Sequence, residues 1–200
     1  MKRLIVVLGM LCCITFNSVS QSLNRRWYMP DFLTAQYAGS IGFISGGAGY
    51  EIFRKKAGVE LLVGVVPGFI DSAPLETINL KFTGSIINVK INEAVTLTPL
   101  TAGLFFCYTP GIEYSSDLPS WYPEGYYWWS EAVRVNIFIG GHVSAMTDRF
   151  GRSRKVQAYY EIGTNEIKLV SYIQNSDALT VWNILHAGIG VRYFFSDIHR

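Results

Sequence analysis

The segment Leu185-His186-Ala187-Gly188-Ile189-Gly190-Val191-Arg192-Tyr193-Phe194-Phe195 decides the fold class. Successive side chains on a strand point to opposite faces, so residues two apart share a face. Leu185, Ala187, Ile189, Val191, Tyr193 and Phe195 then make one continuous apolar stripe, opposed by His186, Gly188, Gly190 and Arg192. A helical period would scatter that stripe around the cylinder, so the segment reads as a strand.

The same alternation recurs upstream. Val133, Val135, Ile137 and Ile139 oppose Arg134, Asn136, His142 and Ser144, and Val156, Ala158, Tyr160 and Ile162 oppose Gln157, Tyr159 and Glu161. Val59, Leu61, Val63 and Val65 oppose Glu60, while Ile78, Leu80 and Phe82 oppose Lys81. Turn-rich clusters separate these runs, which is the pattern of an antiparallel meander. One reading has eight strands, over 33–44, 48–53, 59–66, 77–89, 95–108, 132–146, 155–163 and 184–195. Between them, 109–130 reads as irregular, and 164–183 is open between a further hairpin, a helix and a long loop.

Composition agrees with a β-barrel. The 200 residues are 50% hydrophobic, 14% aromatic and 16% charged, which excludes a disordered chain, a coiled coil and a nucleic-acid-binding tail. Mean hydropathy is +0.22, yet the long charge-free stretches 32–50 and 94–112 are interrupted by Gly, Ser, Thr and Pro. Neither is the run of about 18 apolar residues that a spanning helix needs.

At the N-terminus, Met1-Lys2-Arg3 precedes an apolar stretch from Leu4 to Phe16 and then Asn17-Ser18-Val19-Ser20-Gln21. That order is expected of a secretory leader cleaved after Ser20, leaving 21–200 as a single domain. Cys12 and Cys13 follow Leu11 and Cys12, where a lipidation site prefers a small residue. Loss of Lys2 and Arg3 lowers the basic count from 17 to 15, equal to the 15 acids. A neutral chain gives no argument for phosphate or nucleic-acid binding. Cys107 would be the one remaining thiol, so no intramolecular disulfide is expected.

Two barrels use this alternation in opposite senses. A soluble lipocalin-like carrier points its apolar stripes inward around a ligand, whereas an outer-membrane barrel points them outward and fills its lumen with polar groups. Charge of 16% is thin for a soluble surface and favours the second. The lumen would then hold Glu51, Glu60 and Glu161 with Lys81, Arg134 and Arg192, three acids for three bases. In so narrow an interior the expected result is an ion-paired plug.

Gly190, Tyr193 and Phe195 resemble the terminal glycine, hydrophobic, aromatic pattern that the bacterial outer-membrane assembly machinery recognises. Together with the leader, the meander, Gly125-Tyr126-Tyr127-Trp128-Trp129-Ser130-Glu131 and Tyr172-Ile173-Gln174-Asn175, the chain resembles small outer-membrane β-barrel proteins of Bacteroidota-type bacteria. The resemblance implies an up-and-down transmembrane barrel of about eight strands, outer-membrane lipid and the assembly machinery as partners, and no particular activity.

Chemical candidates are few. His142 and Ser144 share a strand face, and Glu161 on a neighbouring strand is a candidate to orient the imidazole, as hydrolytic triads require. The pair resembles the His-x-Ser-Asn motif of lipid A 3-O-deacylase, with Ala145 in place of the Asn. That hydrolase presents its catalytic group to lipid, whereas the alternation here points His142 into the lumen as an ordinary hydrogen-bonding residue. Trp121, Tyr122, Tyr126, Tyr127, Trp128 and Trp129 suit either an interfacial aromatic girdle or a stacking platform for a glycan or another surface ligand. Glu113, Asp117 and Glu124 lack the density of a calcium loop, and His142, His186 and His199 lack zinc-ligand spacing. Gly46-Gly47-Ala48-Gly49 lies between apparent strands and fits close strand contact or a tight turn better than a phosphate loop. The expectation is a non-enzymatic outer-membrane barrel with a structural or surface-loop binding role and no cofactor or metal. A deacylase-like hydrolase and a soluble carrier are the alternatives.

Overall fold

A computed structural model of the chain describes residues 28–68, 74–111, 132–149 and 152–195. The expected leader, the aromatic cluster from Trp121 to Trp129, the acids Glu113, Asp117 and Glu124, and His199 lie outside the described residues.

Eight strands form an all-β, antiparallel closed barrel in sequence order. They are β1 (Phe32–Ala38), β2 (Ile44–Ile52), β3 (Ala57–Val66), β4 (Leu75–Lys90), β5 (Val95–Tyr108), β6 (Val133–Arg149), β7 (Arg152–Asn165) and β8 (His186–Phe194). Closure is made by β8 on β1, in register from Phe32 opposite Phe194 to Ala38 opposite Gly188. Two short helices, α1 (Glu166–Gln174) and α2 (Val181–Ile184), connect β7 to β8.

The up-and-down order sorts the connections between the two ends. Connections 53–56, 91–94 and 150–151 are short and share an end with Phe32 and Phe194, the start and finish of the sheet. The reversal at 39–43 lies at the other end, with the longer connections 67–74, 109–132 and 166–185.

One expected strand, 33–44, divides into two. Ala38, Gly39 and Ser40 take φ of 60°, 86° and 64°, and Gly42 takes 142°, so the chain reverses there and Ile44 begins β2. The reversal folds inward. Ile41 is fully buried with Leu62, Phe105, Cys107 and Phe138, an apolar cluster that fills the long-connection end of the lumen. The Ile41 carbonyl accepts hydrogen bonds from the Thr77 hydroxyl and from Asn79 Nδ2.

Gly46-Gly47-Ala48-Gly49 proves to be strand interior, paired on both sides to β1 and β3. A Cβ built at Gly47 would collide with the Leu61 carbonyl oxygen, so strand contact too close for a side chain accounts for that glycine.

The two faces of the wall differ as the alternation requires. Leu61, Ile139 and Ile189 point outward at 56%, 59% and 60% exposure. Thr34, Gln36, Glu60, Lys81, Glu161 and Arg192 point inward and are buried. The barrel is apolar outside and polar within. Pro99 sits in a bulge where β5 slips against β6, between Thr98 and Thr101, which is where a strand tolerates a residue with no amide donor.

The open segment 164–183 ends β7 and then holds α1 and most of α2, joined through a turn at 175–178. The Asn165 side chain caps α1 by accepting from the Lys168 amide at 2.8 Å. Glu166 anchors the helix to the barrel, accepting from the Val135 amide at 2.9 Å.

Candidate functional site

The polar plug has two joined layers. In one, Lys81 of β4 forms an ion pair with Glu161 of β7, and its ammonium also donates to Gln36 Oε1 at 2.9 Å. The Tyr159 hydroxyl donates to the same Gln36 oxygen at 2.8 Å. In the other, Arg192 of β8 donates to Glu60 Oε1 of β3 at 2.5 Å and to Gln157 Oε1 at 2.9 Å. The second Glu60 oxygen accepts from the Thr34 hydroxyl at 2.7 Å. Tyr159 joins the layers, since its ring lies 4.9 Å from the Lys81 ammonium and 4.3 Å from the Arg192 guanidinium. Charge is balanced inside the network, as two buried cations and two buried anions require.

Four of the six expected lumen charges therefore meet in the middle of the barrel: Glu60, Lys81, Glu161 and Arg192. The other two stand at opposite ends. Glu51 pairs with Lys155 of β7 at 2.7 Å near the short-turn end. Arg134 lies at the long-connection end, half-buried and 3.8 Å from Glu166. Lys155, Gln36 and Glu166 are partners that sequence reasoning missed. Lys155 was within reach of it, since it lies an even number of residues from Gln157 and Glu161 on its strand.

The candidate hydrolytic residues do not assemble. Ser144 Oγ accepts from Gln157 Nε2 at 3.1 Å, and the Glu161 carboxylate is held by Lys81. His142 Nδ1 is buried without a hydrogen-bond partner, so neither a nucleophile nor an orienting acid engages the imidazole. In register, His142 faces Tyr159 and Glu161 faces Gly140, which separates acid from imidazole along the strand.

Two concavities flank the plug. The outer wall carries a broad, open groove of about 810 Å³, almost wholly apolar, with Tyr37, Ile44, Val143, Tyr160 and Ile189 among its lining residues. His142 borders this groove and Ser144 does not. Inside the barrel, the short-turn end holds a cavity of about 400 Å³ with both polar and apolar lining, Arg192 included. His142, Ser144, Gln157, Lys155 and Glu51 all line it.

Among the described residues no group of His, Cys, Asp and Glu has the arrangement of a metal site. No helix is long and apolar enough to cross a membrane, which says nothing of strands. Compared with known proteins, the chain matches no family model, no curated protein and no solved structure.

Proposed function

We propose that this chain is a small outer-membrane β-barrel protein, non-enzymatic and closed to free passage, whose work is structural or is done by its long connections. The observation that carries the reading is the inversion of polarity across the wall. Apolar residues such as Leu61, Ile139 and Ile189 are outward and exposed, while Glu60, Lys81, Glu161 and Arg192 are buried inside. A water-soluble barrel would leave that coat facing solvent, where contiguous apolar surface of such extent drives association. In a bilayer the same coat is solvated by acyl chains, and closure leaves no strand edge unpaired.

Three further features support it. Three short connections and both sheet termini share one end, and the three longest connections share the other with the reversal at 39–43, an asymmetry in the sense of outer-membrane barrels. The expected leader supplies an export route to the envelope. The middle of the lumen is filled by an ion-paired network and its long-connection end by an apolar cap, which take the space where a soluble carrier would hold its cargo.

Fractionation tests the reading. The protein is expected in the detergent-extracted outer-membrane fraction, with folded and boiled samples migrating differently on a gel. Recovery in the soluble periplasmic fraction would overturn it.

A further inference from the structure

Closure pairs the strands within the wall, but β4 runs on past its neighbour at the short-turn end. The ladder of β3 on β4 stops at Ala57 opposite Gly84, with one last bond from the Ser85 amide to the Lys56 carbonyl at 2.8 Å. β4 continues to Lys90, paired beyond that point to β5 alone. Among the described residues, no backbone group of 86–90 is bonded on the side that β3 has left. That stretch is an open strand edge, which is a template for another strand.

Its side chains are sorted by face. Asn88 and Lys90 line the interior together with Thr96 and Thr98 of β5, so the intervening Ile87 and Val89 point outward, where both are exposed. The charges around the edge are of one sign. Arg54 and Lys56, in the turn that abuts Ser85, and Lys90 are exposed and form no ion pair with a described residue. Glu93, in the connection beyond Lys90, is the acid nearest to them in sequence.

We propose that this edge takes up an extended segment of another protein as an added strand, one that alternates acidic and apolar side chains. Its backbone completes the ladder that β3 leaves, in the manner of strand addition. Cross-strand neighbours share a face, so its acids fall beside Lys90 and its apolar residues beside Ile87 and Val89. A second copy of this chain is the wrong occupant, because twofold pairing of two such edges sets Lys56 and Lys90 of each against the cations of the other. β4 is also irregular, with register shifts between Ser85 and Ile87 and between Ile87 and Val89. Irregular edges bearing lysine resist indiscriminate pairing, which leaves matched charge to select the segment. The edge is open whatever the outer wall contacts, because it is made by the place where β3 stops.

Fluorescence anisotropy tests it, with the folded full-length protein in a zwitterionic detergent at low salt. The probes are a labelled peptide of alternating Val and Glu, its counterpart of alternating Val and Lys, and the Val-Glu peptide N-methylated at successive central residues, which blocks both of its edges. The unmethylated Val-Glu peptide is expected to bind, and the other two are not. A Lys56→Glu/Lys90→Glu double variant is expected to weaken the Val-Glu peptide about tenfold and to bind the Val-Lys peptide instead. If circular dichroism shows that the double variant has lost its fold, Lys90→Gln alone is expected to weaken the Val-Glu peptide about threefold. Failure of the Val-Glu peptide to bind, equal binding of its N-methylated form, or an unchanged preference in the folded variant would overturn the proposal. A dimer formed by the protein without peptide, read by light scattering and abolished by the charge reversal, would assign the edge to a second copy and overturn it as well.

Discussion

Lys81 on β4 and Glu161 on β7 meet across the lumen although two strands, β5 and β6, separate them along the sheet by the shorter way, and the Lys81 side chain has no exposure to solvent. Register explains the meeting: Lys81 faces Glu60 on β3 in the sheet, but its side chain reaches over the lumen to the opposite wall. The ammonium then has Gln36 as a further acceptor. Removing one member of such a pair leaves a buried charge uncompensated, at a cost of about 3–5 kcal/mol, whereas replacing both by apolar or neutral groups is often neutral. Glu161→Gln and Lys81→Met should each lower the urea midpoint strongly, and the Lys81→Met/Glu161→Gln double variant should recover most of the loss. Losses that simply add in the double variant would show that the two charges are not coupled.

Arg192 and Arg134 carry the same charge in different settings, and their replacements should differ accordingly. Arg192 is buried and holds Glu60 and Gln157, so Arg192→Ala strands a carboxylate inside the barrel. Arg134 is half-buried, with Glu166 at 3.8 Å, and a partly solvated pair of that kind contributes roughly 0–1 kcal/mol. In thermal unfolding followed by circular dichroism, Arg192→Ala should lower the transition far more than Arg134→Ala. An equal drop for both would contradict the placement of Arg134 at the barrel end.

The difference between those two arginines also marks the limit of what the sequence discloses. Alternation is a local property, so it assigned Glu60, Lys81, Glu161 and Arg192 to one face of their strands without knowledge of the partners. Which acid meets which base depends on the stagger of strands around the barrel, a closure property with no local signature. The division of 33–44 was hidden for a different reason. Ala38 and Ser40 hold left-handed backbone there, yet neither is a residue whose presence announces it. The helix over Glu166–Gln174 had one legible mark, Asn165 as its cap. Without tertiary contact, a helix of nine residues is too short to be read from its own pattern.

Gly46 and Gly47 should respond differently to the same substitution. At Gly46 a Cβ has open space, with the nearest neighbour, the Thr34 carbonyl oxygen, at 3.8 Å. At Gly47 it meets the backbone of Leu61, which cannot move without shifting β3. Gly46→Ala is therefore expected to leave the unfolding midpoint nearly unchanged. Gly47→Ala should cost about 1–3 kcal/mol, the usual range for overpacking, or prevent closure. A tolerated Gly47→Ala would show that β2 and β3 are further apart than the structure has them.

His142 should be dispensable for lipid chemistry. Its imidazole makes no hydrogen bond to Ser144 or Glu161, whose partners are Gln157 and Lys81. Mass spectrometry of lipid A from cells with wild-type protein, with His142→Ala and with no protein should give the same acylation pattern in all three. An acyl chain that disappears only when His142 is present would restore the hydrolase reading, with the outer groove as its substrate channel.

The β2–β3 turn stores strain that two substitutions should release. Phe53, Arg54 and Lys55 have φ of 50°, 56° and 66°, so three consecutive residues with side chains occupy the left-handed region. That conformation costs roughly 1–2 kcal/mol per ordinary residue and almost nothing for glycine. The Lys56 amide donates to the Phe53 carbonyl at 3.2 Å, which places Arg54 and Lys55 at the two central positions of the turn. A hairpin with positive φ at both centres favours Asn-Gly there, because Asn tolerates the region and Gly has no Cβ to clash. Arg54→Asn with Lys55→Gly should raise stability by about 1–2 kcal/mol, read as a higher urea midpoint with an unchanged slope. A lower midpoint would mean that the Arg54 and Lys55 side chains contribute more through their own contacts than the backbone gains by relaxing.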